Sequence, residues 1–111
     1  MPRKLSHAAS WPTLTQERLV TWGRTIRAQR LRQRITAADL CARLGISRAT
    51  LRRLEQGDPG AAAGAYLTAL LALGLAEQAT PTLPAGLWQG GHGERVKPGR
   101  HEKGGDDDDY F

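Results

Sequence analysis

The sequence has little of what would indicate a secreted, membrane-bound or metal-binding protein. It contains one cysteine, Cys41, in 111 residues, and a single cysteine excludes an internal disulfide. It shows no secretory signal and no run of about 18 apolar residues of the kind that crosses a membrane. Its three histidines have no ligand-like spacing with the cysteine, so no metal site is indicated. These absences predict a cytoplasmic protein without a metal or another cofactor.

Aromatic residues are also scarce, at 5% of the chain, and the apolar content is mainly leucine and alanine, which favour helices over strands. A chain of 111 residues has room for one small domain, because a domain needs roughly 50 to 200 residues to close a core. No nucleophile paired with a base, no carboxylate pair and no phosphate-binding loop is apparent. Composition and motifs therefore predict a small all-α protein that is not an enzyme.

Positive charge is concentrated in one part of the chain. Residues 1–75 hold 12 basic and 4 acidic side chains, whereas residues 76–111 hold 4 basic and 7 acidic ones. Ten of those 12 basic residues lie between Arg18 and Arg53, and all ten are arginine. A basic stripe on a small domain is typical of a surface that binds a polyanion, and arginine is well suited to phosphate. The alternative interpretation is an ordinary solvated surface.

The spacing of apolar residues predicts four helices and one further turn. Thr13 and Gln16 form a candidate capping box ahead of an amphipathic helix at residues 15–33. Three more helices and a short extension are predicted at residues 37–43, 48–56, 62–73 and 75–79. Residues 13–79 are therefore expected to form the domain. Residues 1–12 are expected to be a mobile arm, and residues 80–111 a Pro/Gly-rich, largely disordered tail with an acidic end.

Two of the predicted helices are joined by a tight turn. Thr36 and Ser47 are the predicted N-caps of the helices at 37–43 and 48–56, and Gly45 between them can adopt the left-handed conformation that ends a helix. Two helices joined by a short turn that includes a glycine, with basic residues near the start of the second, form a helix-turn-helix arrangement. In that arrangement the first residues of the second helix meet base edges in the major groove of DNA.

The same spacing separates a buried face from an exposed one. The residues predicted to fill the core are Leu40, Cys41, Leu44, Ile46, Leu51, Leu54, Tyr66, Leu67, Leu70, Leu71 and Leu73. The solvent face of the helix at 48–56 then carries Arg48, Ala49, Arg52 and Arg53. We expect this face to meet DNA.

A stretch of the chain resembles the Cro/CI-type, or XRE-family, helix-turn-helix domain; it is GRTIRAQRLRQRITAADLCARLGISRATLRRLEQG, residues 23–57. The positions that fit the family pattern are Gly23, Ile26, Arg30, Thr36, Leu40, Ala42, Gly45, Ile46, Ser47, Leu51, Leu54, Glu55 and Gly57. The resemblance implies a four- to five-helix bundle of the lambda-repressor-like type with a flexible C-terminal tail. It also implies a sequence-specific DNA-binding transcriptional repressor.

The resemblance assigns roles to residues at matching positions. Arg48, Ala49 and Arg53 stand where family members read bases, although Ala49 can only contact a thymine methyl group. Arg30 and Glu55 stand where the family has an ion pair between the first helix and the end of the recognition helix, which is a structural role. The residues that fit phosphate contacts are Thr36, Ala37, Ser47, Thr50 and Arg52. Many family members have glutamine where Ala37 stands.

A second stretch, EQGDPGAAAGAYLTALLALGLAEQ at residues 55–78, is similar to a group of HipB-like antitoxins. That resemblance implies a bacterial, nucleoid-associated dimer that represses its own operon and binds a HipA-family kinase toxin of a type II toxin-antitoxin pair. The chain departs from the group after residue 79. A phage or mobile-element regulator without a toxin, and a protein-interaction module that uses the C-terminal tail, are the alternatives.

A homodimer is also expected on physical grounds. Two copies that bind two adjacent half-sites on DNA make twice the contacts of one short recognition helix. Tyr66, Leu71 and Leu75 are the candidates for the dimer interface, and the competing interpretation is that they fill the core. In the tail, an apolar cluster of Leu83, Leu87 and Trp88 is expected to dock either on the domain or on a partner. The aspartates at 106–109 either contact a basic surface or are a solvated end or the remnant of a cloning tag.

Overall fold

The computed structural model of the protein describes residues 10–91 together with residues 93 and 96. Over this part of the chain it contains six helices and no strand, so the predicted all-α class is confirmed. The helices are α1 (Thr13–Arg32), α2 (Ala37–Leu44), α3 (Arg48–Glu55), α4 (Ala63–Ala72), α5 (Ala76–Ala79) and α6 (Ala85–Trp88). The chain forms two compact units, residues 1–81 and 82–111. The first unit contains α1 to α5, and none of the helices in the described residues is long and apolar enough to cross a membrane.

Helix α1 begins earlier than predicted, and the predicted capping box is wrong. The N-cap is Pro12, which has extended backbone angles and no side-chain acceptor, and Thr13 is the first helical residue. The backbone N–H of Gln16 donates to the Pro12 carbonyl at 3.1 Å, and its side-chain Nε2 donates to the Trp11 carbonyl at 2.8 Å. Because proline fixes φ near the helical value, the chain enters the helix at this point without a hydroxyl cap.

The turn between α2 and α3 has the local structure that the sequence predicts. Thr36 Oγ1 accepts a hydrogen bond from the Asp39 N–H at 3.0 Å, and Ser47 Oγ accepts one from the Thr50 N–H at 3.0 Å. Gly45 ends α2 with a φ of 70°, in the left-handed region. The two capping bonds fix where α2 and α3 begin, and the conformation of Gly45 fixes where α2 ends.

The core of the first unit lies among α1, α2, α3 and α4. Its buried members are Ile26, Ile35, Leu40, Cys41, Leu51, Leu54, Tyr66, Ala69, Leu70 and Leu73. Two predicted core residues are wrong, since Leu67 and Leu71 are 43% and 63% exposed. Helix α4 is apolar all round, so the sequence alone does not show which face is buried. The buried face follows the helical spacing of residues 66, 69, 70 and 73.

The backbones of α1 and the end of α3 are in direct contact. A Cβ atom added to Gly23 would lie 2.5 Å from the carbonyl oxygen of Leu54, and one added to Gly57 would lie 2.5 Å from the Cα of Val20. Gly57 also has a φ of 75°, which disfavours any side chain. The predicted ion pair across the same contact is confirmed, with Arg30 Nε 2.7 Å from Glu55 Oε2. The orientation of α3 therefore depends on α1.

One of the three residues predicted for a dimer interface is wrong, because it lies in the core. Tyr66 is 1% exposed, its ring centroid is 5.7 Å from that of Trp22, and its hydroxyl donates to the Asp58 carbonyl at 2.7 Å. Leu75 is half-buried and packs against the core. Leu71 is exposed, so it is the residue of the three that offers a free apolar surface.

The described part of the second unit contains one turn of helix, α6, in a segment for which the sequence predicted no regular element. Trp88 Nε1 donates to the Leu83 carbonyl at 3.1 Å, which closes this turn. The side chains of Leu83, Leu87 and Trp88 are 60%, 72% and 59% exposed. The predictions for residues 1–9 and for the aspartates at 106–109 lie outside the described residues.

Candidate nucleic-acid interface

Helix α3 divides its residues between a buried and an exposed face. Leu51 and Leu54 are 2% and 0% exposed and fix the inner face in the core. The residues of the outer face are all exposed; they are Arg48, Ala49, Arg52 and Arg53. The residues predicted to read bases are thus brought together on one open surface, which we call the α3 face.

The α3 face begins at a capped helix N-terminus. The Ser47 hydroxyl accepts from the Thr50 N–H and donates to Thr50 Oγ1, both at 3.0 Å. The first N–H groups of a helix have no partner within the helix, and they carry the positive end of its dipole. A DNA phosphate is the kind of anion that such a helix start accommodates.

The start of α2 offers a smaller set of possible phosphate contacts. Thr36 is exposed, and its hydroxyl already caps the Asp39 N–H. Ala37 is half-buried and packs against the core, so its backbone N–H is the only group that it can offer to a phosphate. The predicted role of Ala37 therefore reduces to a main-chain contact.

Arg48 and Arg52 have uncommitted guanidinium groups. Both side chains are exposed, and neither forms an ion pair or a side-chain hydrogen bond within residues 10–91. A guanidinium group carries five N–H donors that match the acceptors of phosphate or of a guanine edge. These two arginines can therefore bind DNA without first breaking a contact to another described residue.

Arg53 differs from them because it is held by an acidic residue that sequence reasoning missed. Its Nε donates to Asp58 Oδ2 at 2.7 Å, with the two side chains 47% and 35% exposed. The hydrogen bond from Arg53, and a second one from the Gly60 N–H, hold the pKa of the Asp58 carboxyl below its usual value. The available signal was an aspartate five residues after an arginine, at the start of an Asp-Pro-Gly turn.

Most of the positive charge in the described part of the chain is unpaired. Residues 10–91 contain ten arginines and five carboxylates, and Arg27, Arg30 and Arg53 form the ion pairs found there. The other seven are all exposed; they are Arg18, Arg24, Arg32, Arg34, Arg43, Arg48 and Arg52. Exposed arginines of this kind attract the DNA backbone whatever its sequence, and this attraction weakens with salt.

The structure also has an open groove of about 340 Å³ between α1 and α5, which the sequence did not indicate. Trp22, Leu75 and Ala79 supply apolar lining, and Arg18 lies at the same groove. No residue of α3 lines it. The groove therefore belongs to a surface distinct from the α3 face.

Comparison with known proteins agrees with this geometry. A family model described as a helix-turn-helix domain matches residues 22–83, which is more than half of the chain and includes α2 to α5. Searches among curated proteins and among solved structures gave no significant match. Three observations indicate the same kind of domain: the capped turn between α2 and α3, the exposed arginines of α3 and the family match. The chain belongs to the helix-turn-helix domain family, and it is a DNA-binding regulator of the XRE-like kind.

Proposed function

We propose that the protein is a sequence-specific, dimeric transcriptional repressor, and that it is the antitoxin of a type II toxin-antitoxin pair. In this proposal it represses its own operon and binds a HipA-like kinase toxin. The observation that carries the proposal is the α3 face, where four exposed residues, three of them arginine, project from a helix whose other face is fixed in the core.

In the proposed complex, α3 lies in the major groove. Arg48 and Arg53 donate to the O6 and N7 atoms of guanine, which is the commonest specific contact between a protein and a base. Ala49 contacts a thymine methyl group. The phosphate contacts come from the two helix starts and from the remaining arginine of α3; they are Thr36, Ala37, Ser47, Thr50 and Arg52. The phosphate contacts set the position of α3, and the base contacts set its preference.

Pairing of two copies follows from the size of the recognition helix. Helix α3 has eight residues, and one such helix reads too few bases to select an operator. Two copies related by a two-fold axis would read half-sites about 34 Å apart, which is one turn of DNA. Leu71, which is 63% exposed on α4, supports an interface that includes this helix. Leu75, half-buried at the groove between α1 and α5, is the second candidate.

The antitoxin part of the proposal is supported by residues 55–78. This segment contains the Gly-Asp-Pro turn and then the leucine-rich α4, which is followed by Leu-Gly-Leu at residues 73–75, a pattern similar to HipB-like antitoxins. A reading frame for a kinase-like protein next to the gene, and co-purification of its product with this chain, are the expected observations. A phage or mobile-element regulator would lack that neighbour.

The decisive experiment is a salt titration of DNA binding. The full chain is titrated onto a labelled duplex from its own upstream region and onto a scrambled duplex of equal length and composition. We expect a preference for the upstream duplex that persists as salt is raised, while the affinity for both duplexes falls. Equal affinity for the two duplexes, with a steep salt dependence, would reduce the protein to a general polyanion binder.

A second candidate function is that of a protein-interaction module. It is favoured by Leu83, Leu87 and Trp88, which expose three large apolar side chains close together in sequence. The two functions are separated by comparing an Arg48→Ala/Arg53→Ala variant with a deletion of residues 80–111. If the double variant keeps full affinity for the upstream duplex and the deletion abolishes partner capture, the interaction module is the main function.

A further inference from the structure

Arg53 is held by a carboxylate that is itself fixed on both of its oxygens. Arg53 Nε donates to Asp58 Oδ2 at 2.7 Å, and the Gly60 N–H donates to Asp58 Oδ1 at 2.7 Å. The hydrogen bond from the Gly60 N–H to Oδ1 orients the carboxylate, and the hydrogen bond from Arg53 Nε is made to the other oxygen, Oδ2. The carboxylate therefore restricts the orientations that are open to the guanidinium group.

The backbone of Asp58 is anchored to the core and to the end of α3. Its carbonyl oxygen accepts from the buried Tyr66 hydroxyl at 2.7 Å, and its N–H donates to the Arg53 carbonyl at 3.1 Å. Tyr66 in turn packs against Trp22 of α1. A chain of contacts thus runs from the core through Tyr66 and Asp58 to the side chain of Arg53.

This arrangement leaves part of Arg53 available to DNA. The bond to Asp58 uses Nε, and within the described residues neither terminal nitrogen of Arg53 forms a hydrogen bond or an ion pair. One of them, Nη2, lies 3.3 Å from the position that a Cβ atom on Gly60 would take, so the guanidinium group lies close against the turn at a residue without a side chain. Terminal nitrogens whose orientation is restricted in this way are suited to a guanine edge, because less side-chain entropy is lost on binding.

We propose that Asp58 is a positioning residue for sequence discrimination by α3, because it holds the Arg53 guanidinium group toward a base edge. The inference rests on the proposed DNA-reading function. The negative charge of Asp58 has a second effect, since it repels the phosphate backbone. On a DNA sequence that offers Arg53 no acceptor, this repulsion is not offset by a hydrogen bond from Arg53. Asp58 therefore weakens non-specific binding while it supports specific binding.

The positioning role predicts a change in sequence preference, whereas simple charge repulsion predicts none. Removing a carboxylate beside DNA strengthens binding to every sequence if charge alone acts. If Asp58 positions Arg53, its removal lowers the preference for the upstream duplex over the scrambled one. Asp58→Asn is the sharpest variant, because its amide oxygen can still accept from Gly60 while its NH₂ group faces the donor Nε–H of Arg53.

Asp39→Asn is the matched control. It removes the same charge from an exposed position in the first turn of α2, where Asp39 forms no ion pair with a described residue. We expect Asp58→Asn to lower the ratio of upstream to scrambled affinity about tenfold, and Asp39→Asn to leave the ratio unchanged. Both variants should bind scrambled DNA at least as tightly as the unmodified chain.

A double variant tests whether Asp58 acts through Arg53. In an Arg53→Ala background, Asp58→Asn should have no further effect on the ratio. An unchanged ratio in the Asp58→Asn chain, or an equal loss with and without Arg53, overturns the inference while the DNA-reading function stands. Absence of any preference in the unmodified chain overturns the proposed function instead, and this inference with it. Thermal unfolding checks that each variant is folded. If Asp58→Asn does not fold, Asp58→Ser is used in its place, because its hydroxyl can also accept from the Gly60 N–H.

Discussion

Arg30 and Glu55 form a buried ion pair that joins α1 to the last residue of α3. Arg30 Nε donates to Glu55 Oε2 at 2.7 Å, and Nη2 donates to Oε1 at 3.3 Å. Nη1 donates to the Ile35 carbonyl at 3.1 Å, and Arg30 is 6% exposed. Removing Arg30 would leave the Glu55 carboxylate buried without its partner. This is costly, because the carboxylate has lost contact with water and no other group compensates its charge.

We therefore expect Arg30→Met to lower the free energy of unfolding by about 3 to 5 kcal/mol. Arg27→Met is the matched control, since Arg27 is 3.6 Å from the same carboxylate and its side chain is 59% exposed. Because the Arg27 side chain stays largely in water, its loss should cost about 1 kcal/mol or less. Urea unfolding followed by circular dichroism measures both variants. Equal losses would show that burial of Arg30 does not set the strength of the pair.

Arg48 is expected to read a base, and its replacement should change preference as well as affinity. We expect Arg48→Ala to cost about 1 to 3 kcal/mol on the upstream duplex and much less on scrambled DNA. Arg43→Ala is the control, because Arg43 is exposed on α2 and lies outside the α3 face. It should weaken binding to both duplexes alike and make the salt slope shallower. A uniform loss from Arg48→Ala would reassign that residue to the phosphate backbone.

The phenol of Tyr66 makes stability depend on pH in the alkaline range. Burial, and secondarily the charge of Asp58, raise the pKa of Tyr66 to about 12. An unfolded tyrosine ionises near about pH 10. Above that pH the unfolded chain loses a proton that the folded chain keeps, so the free energy of unfolding falls as pH rises toward 12. Below pH 10 both states are neutral at this residue and the effect is absent.

Tyr66→Phe removes this titration and leaves Tyr110 in place as an internal reference. Between pH 9 and pH 11, the unmodified chain should lose about 1 kcal/mol more stability than the variant. Urea unfolding at each pH measures the difference. Parallel loss in the two chains would mean that the phenol ionises as readily in the folded state as in the unfolded one.

The surface of α4 is the place to test pairing of two copies. Leu71 is 63% exposed, so Leu71→Glu should leave the monomer fold intact while it places a charge in the proposed interface. We expect sedimentation equilibrium to show a dimer for the unmodified chain and a monomer for the variant. Leu31→Glu is the control, since Leu31 is 51% exposed on α1. If both variants remain dimeric, the two-fold contact lies elsewhere.

Local hydrogen bonds made much of the domain predictable. Thr36 and Ser47 cap their helices within three residues, and Gly45 ends α2 in a conformation that disfavours other residues. Such features depend on neighbours in sequence, so the chain itself encodes them. The ion pair of Arg30 is long-range, and only the resemblance to a known family indicated it.

Features that depend on packing between distant segments were not predictable. Helix α4 is rich in leucine and alanine on every side, so the sequence left Tyr66 and Leu71 open between the core and a dimer interface. The packing of α4 on α1 and α2 decides between them, with Tyr66 buried and Leu71 exposed. The bond from Arg53 to Asp58 depends on the path of the turn after α3. The DNA-reading role of Arg48 remains a prediction, because the exposure of a side chain does not identify what it binds.

Gly23 and Gly64 offer a direct test of the contact that orients α3. A Cβ atom on Gly23 would lie 2.5 to 2.8 Å from backbone atoms of Leu54, Glu55 and Gly57, whereas one on Gly64 would meet nothing within 4 Å. Backbone atoms cannot move aside as a flexible side chain can, so Gly23→Ala should lower the free energy of unfolding by about 1 to 3 kcal/mol. Gly64→Ala, in the first turn of α4, should raise it by up to about 1 kcal/mol, because alanine favours a helix.

Because the crowded atoms belong to the end of α3, Gly23→Ala should also weaken binding to the upstream duplex under conditions where the variant is fully folded. A Gly23→Ala chain with unchanged stability and unchanged DNA affinity would show that α1 and α3 are not in backbone contact.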